Sequence, residues 1–158
     1  MIRLLGLALA LTVGACAHTK IGSTEIDDTP ENREILDLID AYHRAVEARD
    51  TDAVLAMVSP AYYEDNGNTD RADDYDFRGL SDSLKSDFDR TKTMQLEIRV
   101  DDIVFADDEQ SADAFILFTF RGQAELPTGK QWKTMTDRAR LRFSRQGPNG
   151  KWLISAGL

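Results

Sequence analysis

The chain is expected to adopt an α+β fold, three helices followed by a four-stranded antiparallel meander. Three observations carry that expectation. Apolar residues recur at helical spacing as far as about Thr91, strict alternation runs from there to the end, and turn residues separate the alternating runs. Helices and strands segregated along the chain imply a helical layer packed on one face of a curved sheet. With 158 residues there is enough chain for one ordinary domain and a real core.

The fold is expected to begin at Thr29-Pro30, where Thr can cap a helix and Pro at the first helical position loses no needed N–H. Ile35, Leu38, Ile39, Tyr42 and Val46 then form one apolar helix face, continuing to about Arg49. Asp50 or Thr51 caps a second short helix carrying Val54, Leu55 and Val58. Ser59-Pro60 stops it, because the residue before Pro is pushed out of the α region. Residues 61–65 (AYYED) suit a short strand, and the polar, acidic run from Asn66 to Asp76 suits a loop. Leu80, Leu84 and Phe88, each four apart, make the stripe of a third helix ending near Thr91.

Alternation follows. Met94, Leu96, Ile98 and Val100 share one strand face, and Asp101-Asp102 shifts the phase before Ile103 and Phe105. After a turn at Asp107 to Gln110, Ala112, Ala114, Ile116, Phe118 and Phe120 line one face of a long strand. Phe115 and Leu117 occupy its other face. Pro127-Thr128-Gly129 turns the chain into Met135, Ala139, Leu141 and Phe143, opposite Arg138, Arg140 and Arg142. Gly147-Pro148-Asn149-Gly150 is a hairpin signal, and Lys151 to Leu158 supplies the closing strand.

The 28 acidic and 19 basic side chains leave a formal charge of −9. That balance argues against a nucleic-acid partner, which needs a basic footprint, and against electrostatic adhesion to anionic lipid. The single Cys forms no intramolecular disulfide, and with two His it allows neither a Cys₄ nor a Cys₂His₂ zinc site. Glu64, Asp65, Asp70, Asp73, Asp74 and Asp76 could offer oxygen ligands to Ca²⁺. The EF-hand spacing fails, however, because counting back from Gly67 puts Tyr62 where the first Asp belongs. Nucleophile elbows, phosphate-binding Gly loops and Cys–His pairs are missing from the sequence, so neither metal nor cofactor is expected.

The first residues give an address. Arg3 precedes the apolar run Leu4 to Val13, in the pattern of a secretory signal peptide. Ten apolar residues are too few to span a bilayer of roughly 30 Å, which takes about 20 in a helix. Val13-Gly14-Ala15-Cys16 resembles the lipobox of bacterial lipoproteins. That resemblance implies removal of residues 1–15, diacylglycerol on the Cys16 thiol and an acylated new amino terminus, tying the chain to a lipid bilayer. With Ala17 rather than Asp after the Cys, it further implies the outer membrane, with the domain facing the periplasm. Residues 17–28 (AHTKIGSTEIDD) then act as a flexible tether, spanning about 20 Å as a coil, with His18 solvated in it. The domain itself would occupy 29–158.

The stretch ILDLIDAYHRAVEARDTDAVLAMVSPAYYED, followed by strands ending in TDRARLRFSRQGPNGKWLIS, resembles the nuclear transport factor 2-like superfamily. SnoaL-like proteins, ketosteroid isomerase and scytalone dehydratase belong to it. The resemblance covers roughly residues 30 to 158 and implies a cone, with helices in the concavity of the sheet and a pocket at the open end.

Three candidate catalytic positions follow from the resemblance. Tyr42 sits where the isomerase carries the Tyr that hydrogen-bonds the substrate oxyanion. Asp65 falls at its general-base Asp, with one residue fewer in between. Asp137 shares the inward parity of Met135 and Ala139, although the isomerase's inward Asp aligns nearer Ala139. A carboxylate base would remove a proton alpha to a carbonyl while Tyr and a neutral acid stabilise the enolate. Each has a plainer reading too: a core tyrosine, the start of a solvated loop, and a structural acid paired with an Arg. His43, beside Ile39 and Val46 on the helix, could reach the pocket rim as a dehydratase-type base or remain a surface histidine.

The leading functional expectation is a non-catalytic envelope lipoprotein whose cone binds a small apolar ligand or a partner protein. The alternative is a small isomerase or dehydratase acting on a carbonyl compound. Phe115 and Leu117, opposite in parity to Ile116 and Phe118, leave apolar residues on both sheet faces and imply a homodimer.

Overall fold

A computed structural model of the chain describes residues 19–126, 129–147 and 149–158. Cys16 with its apolar run, Ala17, His18, Pro127, Thr128 and Pro148 lie outside the described residues. Helix α1 (Pro30–Ala48) starts as its cap implies, with the Thr29 hydroxyl accepting from the Asn32 N–H at 3.1 Å. It buries Ile35, Leu38, Ile39 and Val46 and ends at Arg49, whose left-handed backbone (φ 56°) turns its N–H back to the Ala45 and Val46 carbonyls. Asp50 caps α2 (Thr51–Leu55) by accepting from the Ala53 N–H at 2.9 Å.

Val58, expected on that second helix, lies beyond it. Pro60 forbids continuation, and the segment runs extended against the end of the chain instead. The Ile154 N–H donates to the Met57 carbonyl at 2.9 Å, and the Ser59 N–H to the Ile154 carbonyl at 2.8 Å. Two short strands follow, β1 (Tyr63–Glu64) and β2 (Tyr75–Asp76), paired with Tyr63 opposite Asp76. Tyr75 and Asp76 were expected in the loop; their pairing depends on long-range contacts described below. Helix α3 (Phe77–Arg90) is capped by Asp76 and turns Leu80 and Phe88 inward.

The main sheet is antiparallel in the order β3 (Thr91–Phe105), β4 (Ser111–Leu126), β5 (Gly129–Ser144) and β6 (Leu153–Ala156). The phase shift expected at Asp101-Asp102 is a bulge between Val100 and Asp102. Strand β6 is shorter than the expected closing strand and pairs only with Arg142–Ser144, so residues 129–141 of β5 have a strand neighbour on one side. The margin of β3 is held from the helical layer. The Glu47 carboxylate accepts from the Leu96 N–H at 2.9 Å, and Arg49 donates to the Thr91 carbonyl at 2.8 Å.

Alternation sorts the sheet as expected. Ala112, Ala114 and Ile116 are buried against the helices, while Phe115 is 42% exposed on the outer face. Arg140 and Arg142 share Asp113 on that outer face, at 3.8 and 3.1 Å, in pairs exposed enough to contribute little to stability. Ile35, Val54, Tyr62, Leu141, Phe143 and Ile154 form the dry centre of the core. At the Phe105–Phe143 end of the sheet, Trp152 packs 5.9 Å from the Phe105 ring, and the Arg145 guanidinium lies 4.6 Å from its centroid.

Residues 19–28 differ from the expected tether. Lys20 and Asp27 bridge antiparallel, the Ile21 N–H donates to the Ile26 carbonyl at 2.9 Å, and Ile26 is buried. Gly22 supplies the positive φ of the turn. The buried Asn32 amide donates to the Asp27 carbonyl at 2.8 Å and fastens this turn to α1. The polar composition of 17–28 hid two isoleucines that fold back as a pair.

Candidate functional site

The concave face of β3–β5 and the facing sides of α1 and α3 surround a cavity of about 600 Å³. Met94, Leu96, Ile116, Phe118, Phe120 and Leu141 supply its sheet wall; Tyr42, Val46, Leu84 and Phe88 supply its helical wall. The space exists because two concave positions carry little bulk. Ala139 faces Ile116 with one methyl group, and Gly122 leaves room for the Phe120 ring to lie across it. A Cβ on Gly122 would stand 2.6 Å from Phe120 Cζ, so the ring would have to shift. The exposed lining residues Asp87, Arg90, Lys133 and Met135 mark the mouth.

Tyr42 lines the cavity from α1, at the helical position its apolar neighbours imply. Burial of its phenol pushes its pKa up to about 12, and nearby Tyr75 adds to the shift. It is therefore a neutral O–H donor at ordinary pH, and its hydroxyl makes no hydrogen bond within the described residues.

The other candidate positions lie elsewhere, so the expected convergence of Tyr42, Asp65 and Asp137 does not occur. Asp65 is exposed in the loop after β1, where its carboxylate accepts from the Gly67 N–H at 2.9 Å. It borders a separate polar recess with Glu64, Arg140 and Arg142. Asp137 stands opposite Phe118 in register, so its Cβ leaves the concave face as parity requires. Its carboxylate nevertheless is exposed and turns back to accept from the Arg138 N–H at 2.8 Å. The helical layer ends short of this part of β5, where residues 129–138 are all exposed. His43 departs from α1 one residue round from Tyr42 and sits between Asp40 (3.9 Å) and Glu47 (3.5 Å), away from the cavity lining.

A polar cluster behind the cavity had no sequence signal beyond its tyrosines. The buried Tyr62 hydroxyl donates to the main-chain oxygen of Leu158 at 3.3 Å and accepts from the Leu158 N–H at 3.0 Å. Tyr75 donates to the same oxygen, and the Glu64 carboxylate accepts from the Gly157 N–H. Desolvation drives both tyrosine pKa values up, so both remain donors. These bonds join residues almost a hundred positions apart and place Gly157 and Leu158 in the cavity wall. They also explain why Tyr75 leaves the loop and pairs in β2.

Among the described residues no group of three or more His, Cys, Asp or Glu gathers as a metal site needs. The loop acids serve local backbone instead, as when Asp70 accepts from the Ala72 N–H at 3.0 Å. Nor is any helix among the described residues long and apolar enough to cross a membrane.

Helices in the concavity of a curved four-stranded sheet, with a cavity between the layers, define the nuclear transport factor 2-like cone. Solved structures carry the same fold. A nuclear transport factor 2-like superfamily protein from Salmonella enterica aligns at 15% identity and TM-score 0.63, over 80% of this chain and 87% of that one. A ketosteroid isomerase-like protein from Erwinia carotovora aligns at 14% and 0.64, over 82% and 94%. A candidate scytalone dehydratase from Novosphingobium aromaticivorans aligns at 9% and 0.68, over 80% of each chain. No family model and no curated protein matches the sequence. At such identities the likeness is one of fold.

Proposed function

We propose that the chain is an envelope lipoprotein whose cone holds a small apolar ligand without transforming it. The cavity carries this reading: about 600 Å³, within the range of small-molecule sites, with mostly apolar walls and one unpartnered phenol inside. Catalysis of the isomerase kind needs a carboxylate base within reach of the ligand. The carboxylate lining this cavity is Asp87, exposed at the mouth and held by Arg90 at 2.8 Å. Val13-Gly14-Ala15-Cys16 supports the anchor and the bilayer as a partner, with the domain in the periplasm beneath the outer membrane.

Ala139→Phe tests the ligand reading, because the added ring enters the void rather than the packed core. Affinity for the neutral probe N-phenyl-1-naphthylamine should fall at least about tenfold, with the thermal midpoint unchanged or raised. Unaltered affinity would remove the cavity as the binding site.

The isomerase reading draws on the Tyr42 hydroxyl and on what two fold neighbours are named for. Turnover of a model enone, lost in Tyr42→Phe, would carry that reading in place of simple binding.

We further propose a homodimer through the outer sheet face. Phe115, Val104 and Trp132, 42, 49 and 61% exposed, stand on that face among threonines and paired charges. The Cys16→Ser chain should sediment as a dimer at micromolar concentration, and Phe115→Arg should weaken the dimer at least about tenfold. A monomer in the unsubstituted outer face would end the proposal.

A further inference from the structure

We propose that the cavity selects an elongated anionic amphiphile, such as a straight-chain carboxylate, with its head at Lys133 and its tail along the apolar sheet wall. The proposal rests on the ligand-binding reading above and specifies its ligand. Three charged residues line the cavity, and all three are exposed at the mouth. Two of them satisfy each other, since Arg90 Nη2 lies 2.8 Å from Asp87 Oδ1. Arg90 is further held by the Ser86 carbonyl, which accepts from its Nε at 3.2 Å.

Lys133 is the remaining charge, and its ammonium makes no ion pair or hydrogen bond within the described residues. Its cross-strand partner is Gly122, over which the apolar Phe120 ring lies, so no charged group opposes its stem on the concave face. In a chain of net charge −9, an uncompensated cation at the lip of an apolar cavity favours an anionic head there over a cationic one. The wall behind it is long. From Lys133 to Leu141 the strand runs about 26 Å, with Met135, Ala139 and Leu141 lining the cavity and the exposed Asp137 carboxylate between them turned aside to the Arg138 N–H. A tail lying there replaces water on apolar surface, and its anionic head keeps contact with solvent and with Lys133.

Three probes with one tail and different heads test this: dodecanoate, dodecanol and dodecylammonium, titrated calorimetrically into the full chain and into Lys133→Gln. Dodecanoate should bind about fivefold tighter than dodecanol, with dodecylammonium weakest, and added salt should narrow the gap. In Lys133→Gln the dodecanoate advantage should vanish while dodecanol binding stays the same. Equal affinities, or indifference to Lys133→Gln, would overturn the head assignment and leave an apolar-ligand cavity. A loss of dodecanoate affinity in Tyr42→Phe but not in Lys133→Gln would put the head inside and overturn it equally. Failure of all three probes to bind would overturn the cavity-binding reading itself.

Discussion

Gly157→Ala should destabilise the fold by about 2–4 kcal/mol, lowering the thermal midpoint by roughly 5–10 °C for a chain of this size. Two effects add. The residue has φ +97°, where any side chain is strained, and a Cβ there would stand 2.2 Å from the Arg140 carbonyl oxygen and 3.1 Å from Leu141 Cα. Those are backbone atoms of the neighbouring strand, so relief requires the segment to move away from β5. Movement would also stretch the bond from the Gly157 N–H to Glu64 and draw Leu158 from the two tyrosines that hold it. Gly67→Ala is the control, because Gly67 has φ +65° and nothing within 4 Å of its would-be Cβ. It should cost about 1 kcal/mol or less, from backbone strain alone. Circular-dichroism melts of the two variants decide the matter; equal losses would mean the Arg140 contact is easily relieved.

The second large effect concerns the proposed anchor. Radiolabelled palmitate should enter the unsubstituted chain and be absent from Cys16→Ser, which should leave the membrane fraction almost completely. Several acyl chains, each CH₂ contributing about 0.8 kcal/mol when buried, hold a protein on a bilayer effectively permanently. Ser cannot form the thioether, so nothing partial is expected. Equal label in both proteins would place acylation elsewhere or nowhere.

Local rules carried most of the fold. The Thr29 cap, the helix end near Arg49, the second cap at Asp50 or Thr51 and the phase shift at Asp101-Asp102 each depend on a few neighbouring residues and are legible in them. What escaped depends on distant partners. Tyr75 becomes a strand residue because its hydroxyl meets Leu158, and Ile26 is buried although its segment reads as polar linker.

The site divides in the same way. Helical spacing put Tyr42 on the inward side and strand parity put the Asp137 Cβ there, but neither says how far the helices extend over the sheet. Asp137 emerges beyond their cover, and so water rather than protein surrounds its carboxylate. The resemblance to ketosteroid isomerase placed Asp65 at a base position, yet the loop after β1 aims it at its own backbone. Gly122 and Ala139, which create the cavity, carry no signal of their own, since a void is a property of what faces them.

The unequal strand lengths have one more consequence, for the behaviour of the protein at high local concentration. Along residues 129–139 the far side of β5 offers every second N–H and carbonyl to any extended peptide that drifts alongside. The opposite margin is tied at Leu96 and Thr91 by Glu47 and Arg49, but no side chain bonds residues 129–136 from this side among the described residues. Its protection is electrostatic: Lys130, Lys133, Arg138 and Arg140 stand along the strand, and two such strands brought together repel. Direct hydrogen bonds at about 3 Å are screened little by electrolyte, whereas repulsion between solvated cations farther apart fades as the Debye length shrinks. One flank of the sheet is thus tied at Thr91 and Leu96 to the helical side, whereas the other relies on charge that salt screens.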